Sequence, residues 1–152
     1  MVRRSTRRMA GPVGLDSVAT MPALSQVSAR CSTVVDLNHL NLRVRDPAAC
    51  RDFYQVHFEF RPAFETDGGY FVRNDDGFLL ALIPTEAHQP LPDGFHIGFR
   101  IDTPQHVAAQ RDQLVAGGMR VSDLEDHRPA EAYVTFRCWD PDGTEIEVFW
   151  EA

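Results

Sequence analysis

The sequence predicts an α+β fold made of two tandem β-α-β-β-β modules. Two observations carry that reading. First, His39-Leu-Asn-Leu-Arg-Val-Arg-Asp-Pro47 and His96-Ile-Gly-Phe-Arg-Ile-Asp-Thr-Pro104 share His, apolar, small polar or Gly, apolar, Arg, β-branched and a final Pro in register across nine positions, at a constant offset of 96 − 39 = 57. A repeat of this kind fixes architecture before any residue is judged alone. Second, the tight-turn sequences Asn74-Asp-Asp-Gly77 and Asp140-Pro-Asp-Gly143 stand before corresponding apolar runs, and Asn, Asp, Pro and Gly are the residues such turns require.

The elements follow in order. Each histidine opens a strand whose side chains alternate: Leu40, Leu42 and Val44 against His39, Asn41 and Arg43, then Ile97, Phe99 and Ile101 against His96, Gly98 and Arg100. A helix follows each Pro. The first runs from Ala48 to Phe58 with an apolar face at Phe53, Val56 and Phe58. The second spans Val107 to Val115 and stops at Gly117-Gly118, a helix-ending signal. The remaining strands of the first module are expected at 58–62, 69–73 and 78–84. Those of the second are expected at Met119-Arg-Val121, Ala132–Trp139 and Thr144–Trp150. Residues 36–84 and 94–150 are thus the modules, joined by a proline-bearing linker at 85–93.

Composition narrows the function classes. No apolar run is long enough for a membrane span. All 15 basic residues are Arg, which removes Schiff-base lysine chemistry. Residues 1–35 hold five Arg against one acid, a charge of +4, so the rest carries −7 − 4 = −11. An acidic body argues against nucleic acid as partner, since phosphate contacts need clustered positive charge. The Arg- and Ser-rich segment 1–35 resembles a transit peptide in composition, but a disordered extension, or an upstream start with Met21 as a second candidate, is the simpler expectation. Cys31, Cys50 and Cys138 form no Cys-x-x-Cys pair, which fits a reduced compartment, the cytoplasm.

The polar strand faces hold the candidate chemistry. If the two sheets join edge to edge and curl, those faces meet in a cup, with His39, His96 and Glu147 at its floor. One histidine on a polar strand face is ordinarily a solvated residue. Two at equivalent places in two repeats are a stronger signal. Aligning the turn glycines gives a second offset, 143 − 77 = 66, which sets Ala81 opposite Glu147 and Phe71 opposite Arg137.

With the paired histidine strands and Asp140-Pro-Asp-Gly-Thr-Glu-Ile-Glu147-Val in view, the chain resembles the vicinal oxygen chelate superfamily over about Val35 to Trp150. That superfamily includes glyoxalase I, fosfomycin-resistance transferases, extradiol dioxygenases and bleomycin-resistance proteins. The resemblance implies a curled mixed sheet around a cup-shaped site in which His39, His96 and Glu147 hold a divalent transition metal. Fe(II) is the leading expectation, with Mn, Co, Ni and Zn also suited to imidazole and carboxylate. It further implies a homodimer and a small substrate that chelates the metal through adjacent oxygens.

Departures shape the expected chemistry. Ala81 stands where glyoxalase I has a fourth ligand. Arg137 replaces the Tyr of extradiol dioxygenases, and His127 lies near the place of their acid–base histidine. Tyr133, Arg137 and His127 are therefore the candidate catalytic residues, and Asn41, Phe71, Thr135 and Phe149 the candidate substrate contacts. Dioxygenase-type chemistry leads, with glyoxalase-like isomerisation or thiol transfer as alternatives. A non-catalytic drug-sequestering protein is the reading from another class. His57, His88 and His106 are expected at the surface.

Overall fold

A computed structural model describes residues 36–87 and 89–152. The expectations for residues 1–35 and for His88 lie outside the described residues. Residues 36–152 form one unit with a continuous core.

The first module comprises β1 (His39–Val44), α1 (Pro47–Phe58), β2 (Arg61–Thr66), β3 (Gly69–Arg73) and β4 (Leu79–Pro84). The second comprises β5 (Ile97–Arg100), α2 (Pro104–Ala116), β6 (Glu125–Asp126), β7 (Tyr133–Trp139) and β8 (Glu145–Glu151). Each module folds one four-stranded mixed sheet, ordered β1-β4-β3-β2 and β5-β8-β7-β6. In both sheets the histidine-bearing segment leads into an edge strand that runs parallel to the module's last strand. Among the described residues no ladder joins the two sheets, so the edge-to-edge closure that the alternation allows is not made within one chain.

The register confirms the repeat. Asn41 pairs with Ala81 and Ala81 with Phe71; 57 or 66 residues later, Gly98 pairs with Glu147 and Glu147 with Arg137. Both turns close in the same way, by Gly77 N donating to Asn74 O at 3.1 Å and Gly143 N to Asp140 O at 3.0 Å. Both glycines have positive φ, 89° and 94°, which glycine adopts without a Cβ clash.

Helix caps explain the helix starts. Asp46 Oδ1 accepts from Ala49 N and Thr103 Oγ1 from His106 N, each beside a Pro in the first turn. Helix α1 buries Cys50, Phe53 and Tyr54, and α2 buries Val107 and Leu114. Two expectations are corrected here. Val56 is 74% exposed, so the buried face of α1 runs through Tyr54 instead. The strand read at 58–62 is the helix end, a left-handed cap at Glu59 (φ 57°) and the buried Phe60, with β2 starting at Arg61. Likewise Met119–Val121 contributes a single bridge from Val121 to Cys138, and the edge strand forms later, at Glu125–Asp126.

The modules share one core. Phe58 meets Phe99 with ring centroids 4.5 Å apart, and Tyr54 OH donates to Asp140 Oδ2 at 3.2 Å. Arg45 Nε donates to Asp142 Oδ1 at 2.8 Å. Burial pushes the Cys50 and Cys138 thiols up to about 12, so both are core residues with no thiolate character. Among the described residues no helix is long and apolar enough to cross a membrane.

Candidate metal centre

Glu147 is at the centre of the second sheet, between Gly98 and Arg137, and is only 8% exposed. Its neighbours follow from strand alternation, which sets Tyr133, Thr135 and Arg137 of β7 on one face. Tyr133 OH donates to Glu147 Oε1 at 2.6 Å, Thr135 Oγ1 lies 3.1 Å from the same oxygen, and Arg137 Nη1 forms an ion pair with it. Burial alone would raise the Glu147 carboxyl, but these donors outweigh it and hold the group below its ordinary range. Burial and the bond to Glu147 raise the Tyr133 phenol, which therefore keeps its proton at neutral pH.

Glu147 Oε2 faces His96 Nε2 at 3.2 Å. The other nitrogen of His96 lies 3.0 Å from Gly94 O, which can only accept. A proton on Nδ1 satisfies that carbonyl, so the neutral imidazole carries its lone pair on Nε2, beside a carboxylate oxygen, while the imidazolium would donate there instead. Two donors of one transition-metal ion, each about 2.1 Å from it, stand about 3 Å apart. The spacing and the donor chemistry of His96 and Glu147 therefore fit a shared cation. His39 has the same preparation: its Nδ1 lies 2.8 Å from Asn38 Oδ1, which again leaves Nε2 for coordination.

His39 does not join the other two within the chain. Among the described residues no group of three His, Cys, Asp or Glu side chains is placed to hold a metal. The single chain thus brings His96 and Glu147 together and keeps His39 apart, at the start of the other sheet's edge strand. A cavity of about 1070 Å³ opens beside that strand, between residues 40–43, the linker, Trp139 and residues 142–145. Asn41 lines it; His96 and Glu147 do not.

The other candidates divide in the same way. Arg137 and Thr135 are engaged with Glu147, and Arg137 Nε also meets Glu145 at 3.2 Å, so neither extends freely toward a substrate. His127 stacks beside Tyr133, centroids 6.0 Å apart, and its Nε2 lies 3.4 Å from Glu125. The Phe149 ring crosses Gly98, where an added Cβ would lie 3.2 Å from Cε1. Phe71 lies in the first sheet, stacked on Phe64. Asn38 and Gly94 were not foreseen, because an acceptor one or two residues before a histidine leaves no sequence signature.

Two β-α-β-β-β modules, each folding one mixed sheet, with a histidine–carboxylate pair on the second, define a two-module α+β class of fold. The chain belongs to the Glyoxalase/Bleomycin resistance protein/Dioxygenase superfamily, whose family model matches residues 36–148. Among solved structures, a possible glyoxalase from Bacillus cereus is 29% identical, with a TM-score of 0.66 over 76% of this chain and 98% of that one. The fosfomycin resistance protein FosX from Listeria monocytogenes is 18% identical, with a TM-score of 0.69 over 79% of this chain and 96% of that one. The lactoylglutathione lyase from Agrobacterium tumefaciens is 20% identical, with a TM-score of 0.61 over 77% and 94%. The last two show likeness of fold. No curated protein matches the chain in sequence.

Proposed function

We propose that this protein is a metal-dependent enzyme whose centre combines His96 and Glu147 of one chain with His39 of a second copy. Its substrate is a small molecule that presents two adjacent oxygens. The observation that carries the reading is the 3.2 Å approach of His96 Nε2 to Glu147 Oε2, with the remaining nitrogen and the remaining oxygen both held elsewhere. The separation of His39 from this pair, on a strand with an open edge, supports a centre completed between copies. A mutant of FosX from Listeria monocytogenes has been solved in complex with Mn(II) and a dihydroxypropylphosphonic acid, which supports a divalent metal and a vicinal-oxygen ligand here.

When bound, the metal supplies Lewis acidity to the two substrate oxygens. The chain supplies the rest. Tyr133 keeps a proton beside Glu147, Arg137 balances the carboxylate charge, and Phe149 gives the floor an apolar wall. Ala81, 4% exposed, offers no second carboxylate at the position equivalent to Glu147. A ligand set of two His and one carboxylate leaves positions for a bidentate substrate and for O₂, so Fe(II)-dependent dioxygenase chemistry is the finer reading. The free, buried Cys50 and Cys138 accord with a reduced cytoplasm.

Anaerobic titration with Fe(II) should show one ion per chain, and His39→Ala, His96→Ala and Glu147→Gln should each abolish it. Oxygen uptake across a panel of catechols and 2-oxo acids then tests the reaction. A loaded protein that consumes no oxygen with any of them belongs instead to isomerase or thiol-transfer chemistry. A protein that purifies and binds its ligand without metal is a sequestering protein, and the proposal fails.

A further inference from the structure

The two sheets carry the same row of positions with opposite chemistry. In the second module the row reads Gly98, Glu147, Arg137; in the first it reads Asn41, Ala81, Phe71 and continues to Phe64. Both members of the Arg137–Glu147 ion pair are therefore replaced together, by an aromatic ring and a methyl group. Residues paired across neighbouring strands share a face, and Asn41 shares its face with His39 two residues earlier. The rings and His39 thus lie on one face of one sheet. Whichever copy supplies His39 to a metal centre supplies the rings with it.

The rings form a platform. Phe64 and Phe71 stack with centroids 4.2 Å apart and planes 16° from parallel, and Phe64 remains 50% exposed on an edge strand. An exposed, preorganised ring pair is what a third planar group stacks upon, since aromatic contacts favour offset stacking and gain from removing the faces from water. Phe71 stands two strands from β1, about 10 Å at the usual strand spacing. A substrate as short as a three-carbon acid does not reach from His39 to Phe71; one bearing a ring does. We infer that the substrate carries an aryl or similarly planar apolar arm that lies on Phe64 and Phe71 while its oxygens meet the His96–Glu147 end. This rests on the metal-centre reading above and names the class of substrate.

Two hydroxamates with one chelating head test it: acetohydroxamic acid and 4-phenylbenzohydroxamic acid, titrated calorimetrically into Mn(II)-loaded protein. The aryl ligand should bind at least tenfold tighter, and Phe64→Ala should cut that ratio below threefold. Equal affinities in the wild type, or an unchanged ratio in the variant, overturn the inference. If the protein holds neither Mn(II) nor Fe(II), the metal centre fails by itself. Biphenyl-4-carboxylate binding to the metal-free protein, followed by ligand-observed NMR, then decides the platform. A signal that needs Phe64 sustains it and no such signal overturns it. Phe64→Ala shifting the protein from dimer to monomer in light scattering assigns the rings to a subunit contact and also overturns it.

Discussion

Glu147 Oε1 is crowded by donors from three side chains while Oε2 has only His96 before it. A carboxylate held this way has one oxygen free for a cation, and its ionised form is favoured over the protonated one. That preference fixes a pH dependence. The folded pKa lies below the ordinary 4.5, so the stability Glu147 contributes is present above the unfolded pKa and is lost as pH falls through the lowered folded value. The stability difference between metal-free wild type and Glu147→Gln should be constant above about pH 5.5 and shrink steadily in acid. A difference that grows in acid would reverse the sign and remove the three donors from the account. Denaturant unfolding at pH 3.5 to 7 measures it. His39, His96 and Glu147 could be named as candidates because duplication set His39 against His96 and a turn glycine located Glu147; the sequence did not show that only His96 and Glu147 meet within the chain. The partners of those residues were less legible. Thr135 read as a substrate contact and Arg137 as a catalytic residue because strand parity gives a face, not a bond.

At the scale of elements, strands with one apolar face announced themselves, the edge strands β1 and β5 included, whereas the opposite edges β2 and β6 did not. All six residues of β2 are exposed, and β6 is two acidic residues, so neither carries the alternation that marks a half-buried strand. Phe58 and Phe60 mimicked that alternation because a left-handed residue at Glu59 turns the chain between a partly buried ring and a buried one. Two substitutions probe these backbone positions with opposite signs. Glu59→Gly should raise stability by about 0.5 kcal/mol, since glycine relieves the left-handed cap at some entropic cost. Gly143→Ala should lower it by about 1 kcal/mol, because φ of 94° is strained for any residue with a Cβ even though no atom lies within 4 Å of one there. Urea midpoints at fixed m-value check both.

For the whole molecule, the pairing of modules leaves the histidine of one sheet away from the carboxylate of the other. A centre shared between copies makes a sharp forecast. His39→Ala and Glu147→Gln each fail to hold metal alone. Once unfolded, mixed and refolded together, the two should regain about one ion for every four chains, because half the pairs are mixed and each mixed pair has one intact site. No recovery in the mixture would place the third ligand elsewhere. The sequence could announce two equivalent halves, but not whether their open edges meet inside one chain, since a strand edge looks the same to either partner.

Helix α1 and Arg45, which precedes it, are stitched to the hairpin turn of the second half by Tyr54 to Asp140 and by Arg45 to Asp142, under a shared layer of phenylalanines. The covalent connection through Gln89–Asp93 runs along the exposed outside and contributes little to that grip. Cleaving the polypeptide there would yield two pieces that stay clasped, each hiding the other's oily side. Either piece made alone would lack its other half and clump, unless two identical copies covered one another in its place.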